Sequence, residues 1–429
     1  MFTTRSTGML MEAANARPAL ERPATSDGKT RSVKRKANAS DHVNILNEVL
    51  PRLPSVVNDN DRLISVISNI STNVISPVLH ARVFPENLRE SYLKLWLNMT
   101  KITQASKIWK KDIAEALNHA KLFSTRFELV KQGWLPIFEQ LLLNDKERLP
   151  TLIGRLLAPT SAGNIFGVGA SAARLEADKT TQLTLRRISL LLLSTEKDYG
   201  VSSYILLEEK LSELLTASAA SSPSSATRAE VFMLIRALIL KTSHIHLASL
   251  WPIITAELQR AISSAMPRSV DYDLYNGFSL IQACKLLDLL LIVAPDDFQM
   301  HEWLFITDTI EAVYKPGQWD PVALIDDIAE ELGSSEPTSA YPTTPGSELA
   351  PTMSNSQRTA GLKAPILKVL GSEVAEASKP EIVQGVLRPW FSQLSIQAFE
   401  AMYGMCEADL EACEEAVLRD LFDDSTLVG

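Results

Sequence analysis

The sequence has few of the residues that mark disulfide scaffolds, β-sheets or membrane spans. It contains three cysteines, Cys284, Cys406 and Cys413, and so small and odd a number excludes a disulfide framework and indicates a reducing compartment. Aromatic residues make up only 7% of the chain and glycines number 17, which disfavours an all-β fold. No stretch approaches the roughly 20 consecutive apolar residues that a transmembrane helix needs. We therefore expect any membrane association to be peripheral.

Acidic residues outnumber basic ones, 51 against 42, which gives a formal net charge of −9. This balance excludes a global attraction to nucleic acid, and we predict no nucleic-acid partner. The charge is unevenly spread. Residues 1–40 carry eight Lys and Arg residues against three acidic ones and show no apolar periodicity, which predicts a disordered basic tail. The last twenty or so residues are strongly acidic.

Patterns typical of catalysis and metal binding are also missing. The glycine-rich stretch 163–169 lacks the preceding strand of a nucleotide site and is interpreted as a loop. His244 and His246 would point to different sides of a helix, and Cys406 and Cys413 are two helical turns apart, so neither pair suits one metal ion. We predict no catalytic residue, no cofactor and no metal, and hence a non-enzymatic protein. An unrecognised helical enzyme is the alternative.

Helical periodicity runs through most of the sequence. One clear example is the apolar set that recurs at the spacing of a single helical face: Leu88, Tyr92, Leu95, Trp96 and Met99. Pro136 lies two residues after Trp134, Pro252 directly follows Trp251, and each proline opens an amphipathic segment. Proline is tolerated in a first helical turn because it has no N–H to lose there. The copies are irregularly spaced. The pattern predicts an all-α fold, a two-layer HEAT-like helical-repeat (α-solenoid) array.

The segment 279–294 is the most apolar of the predicted helices. Its polar residues Gln282, Lys285 and Asp288 form a narrow stripe at i, i+3 and i+6, and leucine, isoleucine, valine and alanine cover most of the remaining circumference. A helix that is apolar over so wide an arc must be buried on two sides. We expect this helix to be an inner helix of the array.

Composition divides the chain into four parts. We predict a disordered basic tail (1–40), a helical-repeat array (41–332), a disordered linker rich in Pro, Ser and Thr (333–361), and C-terminal helices with an acidic tail (362–429). The C-terminal part is expected to be a separate module. Its apolar face at 394–405 would pack either on the chain's own array or on a second copy, which makes a homodimer possible.

Several long strings of the array resemble one known family. Gln282–Tyr314 is similar to the C-terminal signature of the Dopey family, and Ile108–Asp112, Gly133–Phe138 and Leu157–Thr180 resemble its fungal branch. Members of the family are much longer than this chain. The resemblance therefore implies a C-terminal fragment or truncated form that lacks the N-terminal Dopey domain.

The resemblance also implies a function. Dopey proteins are non-enzymatic scaffolds, or adaptors, in vesicle-mediated protein transport between late Golgi and endosomes. The implied location is cytoplasmic and peripheral on Golgi and endosome membranes. The implied partners are a large Arf-exchange-factor-like scaffold and an aminophospholipid flippase, with a possible phosphoinositide contact. A peripheral lipid-binding module is an alternative that the basic tail favours and the acidic terminus opposes.

Four aromatic residues are the candidates for partner contacts, because aromatic side chains are favoured anchors of interfaces. They are Phe298, Trp303, Phe305 and Trp319. The alternative is that these rings fill the core between helices.

Overall fold

The computed structural model describes residues 42–156, 170–215, 224–307, 323–334, 362–367, 377–392, 394, 398 and 406–423. The predicted basic tail (1–40) and all but the first two residues of the predicted linker (333–361) lie outside the described residues, as does Trp319.

The described part of the chain is mainly helical, with one short strand pair, which confirms the predicted all-α helical array. In chain order the helices are α1 (42–49), α2 (Leu53–Val56), α3 (Asn60–Ile70), α4 (Ser76–Leu79), α5 (Glu90–Thr100), α6 (Ser106–Asn118), α7 (Leu135–Asn144), α8 (Arg148–Gly154), α9 (Ala170–Leu193), α10 (Tyr204–Leu215), α11 (Ser225–Lys241), α12 (Trp251–Ser263), α13 (Gly277–Val293), α14 (Asp296–Gln299), α15 (Leu324–Ser334), α16 (Lys379–Ile382) and α17 (Leu410–Leu421). Residues 388–392 are also helical. Segments of π-helix, Ser71–Ile75, Val130–Trp134 and Val383–Leu387, continue or introduce some of these helices.

Local sequence explains where several helices begin. Pro136 and Pro252 lie in the first turns of α7 and α12, as their positions predict. Side chains cap other helices, including α11, α13 and α17: Ser224 accepts a hydrogen bond from Thr227 N in α11, and Asn276 and Asp409 do the same for α13 and α17. The capping oxygens satisfy N–H groups that have no partner inside the helix.

Two rows of helices make up the central part of the array. In one row α9, α11 and α13 lie side by side. In the other row α8 packs against α9 and α12 packs against α13, and α10 lies between α8 and α12. The rows are joined through a buried group in which Arg228 of α11 and Tyr275 both contact the carboxylate of Glu257 in α12. The Tyr275 hydroxyl donates to Glu257 Oε1 at 2.7 Å.

The amino-terminal helices continue the same packing around a cluster of tryptophans. Trp96 of α5 lies 5.5 Å from Trp134, which stacks on Phe138 of α7 at 5.3 Å between ring centroids. Helix α7 in turn contacts α9. The core is therefore continuous from α5 to α13.

Helix α13 is buried as its composition predicts. Its leucines from Leu280 to Leu290 are all at most 3% exposed. The polar stripe of Gln282, Lys285 and Asp288 is buried as well, at most 4% exposed, which the sequence pattern alone did not indicate. The stripe is covered by residues from the C-terminal part of the chain.

The C-terminal part differs from the expected separate module. Helix α17 packs on α9 and α11, and α16 contacts α13. Strand β1 (Leu362–Lys363) pairs in parallel with β2 (Glu407–Ala408). Within the described residues, the C-terminal segments therefore lie on the array. The exact boundaries of the four predicted parts stay a prediction.

Glycine at position 277 permits the close approach of α16 to α13. A Cβ atom at Gly277 would overlap Ile382 Cδ1 and lie 3.5 Å from Lys379 Cα. We expect Gly277→Ala to destabilise this packing by about 1–3 kcal/mol, because a buried contact must open to admit the methyl group. Thermal unfolding followed by circular dichroism measures the effect. The matched control is Gly154→Ala, where an added Cβ meets nothing within 4 Å; equal melting temperatures for the two variants would contradict the expectation.

Candidate functional site

The described residues hold no group of three or more His, Cys, Asp or Glu side chains that could bind a metal ion. His244 and His246 lie exposed in a 3-10 turn. Cys413 is buried, and burial raises the pKa of its thiol to about 12, so the thiol is protonated and unreactive at neutral pH. Among the described helices, none combines the length and the apolar character that crossing a membrane requires.

The candidate aromatic residues fall in different environments. Phe298 and Phe305 are buried, and their rings stack with centroids 6.0 Å apart, so neither is accessible to a partner. Trp303 lies in a 3-10 turn between them in sequence and is 57% exposed. Trp319 lies outside the described residues. A role in partner contacts stays a prediction, and within the described residues only Trp303 of the four presents its side chain to solvent.

The most unusual feature of the array is a cluster of buried charges where α9, α11 and α13 meet the C-terminal segments. We call it the ionic seam and define it by six side chains: Arg186, Glu230, Arg236, Lys285, Asp288 and Asp420. Each is at most 5% exposed. Buried charges are costly unless they are paired and hydrogen-bonded, so the stability of the fold depends on the contacts within this cluster.

Asp420 of α17 is the central carboxylate of the ionic seam. Its Oδ2 accepts a hydrogen bond from Arg236 at 2.6 Å, and its Oδ1 accepts one from Lys285 Nζ at 2.6 Å. Burial alone would raise the pKa of Asp420, but the two cations together hold that pKa below its usual value. Arg236 also donates to Gln282 Oε1 at 2.9 Å. The polar stripe of α13 thus binds the C-terminal helix.

Arg186 of α9 binds the end of the same helix. Its Nε donates to Glu230 Oε1 at 2.8 Å, and its Nη1 donates to the carbonyl oxygens of Leu421 and Asp423 at 3.0 and 2.9 Å. Leu421 is the last residue of α17, where a helix leaves acceptors without internal partners and carries partial negative charge, and Asp423 lies two residues beyond it. The guanidinium therefore caps α17. Burial raises the pKa of Glu230 to about 7, although Arg186 opposes the shift.

Asp288 fixes a second C-terminal segment. Its Oδ2 accepts hydrogen bonds from the backbone N–H groups of Ile366 and Leu367 at 2.7 and 3.0 Å. Burial raises the pKa of Asp288 to about 6 in spite of these hydrogen bonds. Three residues earlier in the chain, the Lys363 carbonyl accepts from Asp409 N at 2.8 Å and extends the β1–β2 pairing. One carboxylate on α13 thus holds the segment that follows β1, and β1 pairs with β2, the strand that leads into α17.

Contacts at the edge of the seam are more exposed. Lys131 and Lys241 pair with Glu411 and Glu414 of α17 at 2.5 and 2.9 Å. Exposed pairs of this kind typically contribute about 0–1 kcal/mol each. Nearby, Lys379 of α16 donates to two backbone carbonyls of the array, those of Tyr272 and Tyr275, and burial lowers its pKa to about 8.

Comparison with known proteins identifies the family. A family model described as DOP1 C-terminal matches residues 18–404. The chain belongs to the DOP1 (Dopey) family. It is 48% identical over 389 residues to Protein dop1 of Emericella nidulans, covering 91% of this chain and 20% of that protein. It is 26% identical to Protein DOP1 of Saccharomyces cerevisiae (87% and 21% covered) and 23% identical to Protein pad-1 of Caenorhabditis elegans (58% and 10% covered).

The predicted resemblance to the Dopey family is thereby confirmed. The DOP1-family chain spans about a fifth of the length of the two fungal relatives. No solved structure gives a significant match. The family match covers helices α1 to α16, and it supplies no catalytic residue.

The ionic seam was missed by reasoning from sequence, although a signal was present. Arg228, Glu230 and Arg236 occur inside α11, in which fourteen consecutive residues are buried. Charged residues inside so apolar a helix require buried partners. The polar stripe of α13 gives the same signal. What the sequence could not supply was the partner, because Asp420 lies 184 residues from Arg236.

A pH-dependent stability difference is expected for Asp288→Asn. Because burial raises the folded pKa of Asp288 to about 6, above the value of ~3.9 for an unfolded chain, the folded protein binds this proton more tightly. The contribution of the Asp288 side chain to the free energy of unfolding is therefore greatest at low pH, and it falls as pH rises from about 4 through 6. Asparagine keeps an oxygen that can accept the two N–H bonds but does not titrate.

We accordingly expect the free energy of unfolding of Asp288→Asn, relative to wild type, to rise by on the order of 2 kcal/mol between pH 4.5 and 7. Urea denaturation of both proteins at each pH measures it, and other titrating groups cancel in the comparison. The control is Asp61→Asn at an exposed site in α3. A difference between Asp288→Asn and wild type that stays constant over this range would contradict the prediction.

Proposed function

We propose that this chain is part of a non-enzymatic scaffold that acts in vesicle-mediated protein transport between late Golgi and endosomes. The observation that supports the proposal most is membership of the DOP1 family in a chain whose described part is a helical array. Helical arrays present extended surfaces, and they generally bind proteins rather than catalyse reactions. The location in this proposal is cytoplasmic and peripheral on Golgi and endosome membranes.

The proposed partners are a large Arf-exchange-factor-like scaffold and an aminophospholipid flippase. Trp303 is the proposed anchor for one of them, since its indole is largely exposed and Met300, 66% exposed, lies three residues before it. Exposed tryptophan is enriched among residues that contribute most to interfaces. The buried Phe298 and Phe305 would position this turn by packing beneath it.

Affinity purification from a fungal lysate tests the proposal. The tagged full chain is expected to recover the Arf-exchange-factor-like scaffold or the flippase, identified by mass spectrometry. Trp303→Ala is expected to reduce recovery of at least one of them several-fold. Ile205→Ala, at another exposed apolar residue, is the control and should leave recovery unchanged. If the folded wild-type chain recovers no Golgi or endosomal trafficking component, the proposed function is wrong.

A further inference from the structure

Helix α17 lies on the array in the way that a bound peptide helix lies on a repeat protein. It packs across α9 and α11, and its Asp420 reaches Lys285 of α13. The helix is amphipathic: Cys413, Val417 and Leu418 are buried, whereas its acidic residues Glu411, Glu414 and Glu415 lie at the edge. We call the surface of α9, α11 and α13 that it covers the helix slot.

The charges of the helix slot call for one carboxylate from its occupant. Without Asp420 the ionic seam contains three cations, Arg186, Arg236 and Lys285, and two carboxylates, Glu230 and Asp288. This leaves at least one positive charge uncompensated in a region that the occupant shields from water, because burial raises the pKa of Glu230 to about 7. An uncompensated buried cation costs several kcal/mol, so an apolar helix would fit poorly here. The slot therefore selects an occupant with an acidic residue at this position.

The helix slot also recognises where its occupant ends. Arg186 donates to the carbonyl of Leu421, an acceptor of the kind that any helix offers in its last turn, and to the carbonyl of Asp423 just beyond it. Asp420 lies one residue before the end of α17. The matching chemistry is thus an amphipathic helix with a carboxylate in its final turn. Nothing in these contacts requires the occupant to be part of the same chain.

We propose that the helix slot is a binding site for an acidic amphipathic helix of a partner protein, and that α17 is an intramolecular occupant which the partner helix displaces. Five of the twelve residues of α17 are buried, and its edge pairs with Lys131 and Lys241 are partly exposed. This inference rests on the proposed scaffold function, because it names a surface that holds partners.

Peptide binding to the full chain tests the inference. The probe is a fluorescein-labelled synthetic peptide with the sequence of residues 406–423. The protein is the full chain carrying Val417→Asp, which disrupts the apolar face of its own α17 and leaves the helix slot intact. Fluorescence anisotropy should show at least tenfold tighter binding to this variant than to wild type. An Asp420→Asn peptide should bind the variant at least tenfold more weakly than the unmodified peptide.

Two results would overturn the inference. One is a folded Val417→Asp chain that binds the peptide no better than wild type does. The other is a wild-type dimer of twice 47.3 kDa by light scattering in which cross-links join α17 of one copy to the slot of another, because the occupant would then be a second copy.

Hydrogen–deuterium exchange of the wild-type chain covers the case in which Val417→Asp fails to fold. The amides of α17 should exchange at least tenfold faster than those of α11 and α13, because reversible release opens α17 alone. Exchange of all three helices at one rate would show that α17 opens only with the whole array, and would overturn the inference. These measurements use purified protein, so they can succeed or fail independently of the recovery of trafficking components from a lysate.

Discussion

Leu287→Asp is expected to unfold the array. Leu287 lies in the middle of α13, has no exposed surface, and is surrounded by other buried leucines of the same helix. The substitution removes about 1.5–3 kcal/mol of apolar burial and places a carboxylate where it has no partner, at a further cost of several kcal/mol. The sum approaches the whole stability of 5–15 kcal/mol that is typical of a folded domain.

Circular dichroism and size-exclusion chromatography of the purified variant measure this effect. We expect a large loss of helical signal at 25 °C, or aggregation on expression. The matched control is Leu143→Asp in α7, where the leucine is 51% exposed and the same chemical change should cost little. A Leu287→Asp protein that melts within a few degrees of wild type would show that α13 is not the inner helix described above.

Asp420→Ala is expected to cost about 3–5 kcal/mol of unfolding free energy. The substitution leaves Arg236 and Lys285 buried with no carboxylate from α17 to pair with them. Glu411→Ala on the same helix is the control, because Glu411 is 79% exposed and its pair with Lys131 should contribute at most about 1 kcal/mol. Urea denaturation of both variants gives the comparison, and equal losses would contradict the central position of Asp420.

A second substitution separates the loss of the ion pair of Asp420 from the loss of its packing. In the double variant Asp420→Ala with Lys285→Met, one of the stranded cations is replaced by an apolar side chain of similar length. We expect this variant to be more stable than Asp420→Ala alone, by about 1–3 kcal/mol, because a buried ion pair can often be replaced by apolar residues without loss. Additive destabilisation by the two substitutions would indicate that the two residues do not interact.

Local patterns predicted the helical parts of the fold well, because helical periodicity and proline at a first turn depend on neighbouring residues. The start of α12 at Trp251 and the burial of α13 are examples. The position of the C-terminal segments could not be predicted in this way. Their attachment depends on pairs such as Lys285 with Asp420, which lie 135 residues apart. Composition likewise did not distinguish the exposed Trp303 from the buried Phe298 in one short region.

The capping of α17 by Arg186 has a consequence for biosynthesis. The two residues joined by this contact, Arg186 and Leu421, are separated by 235 positions. At a translation rate of about 5–20 residues per second, α9 leaves the ribosome roughly 10–50 seconds before α17, which carries Asp420. During that interval the cations of α9, α11 and α13 lack Asp420, and the apolar surface of the slot is uncovered. Nascent chains should therefore engage chaperones until translation passes Asp423, and ribosome-bound chains stalled before Asp420 should retain them.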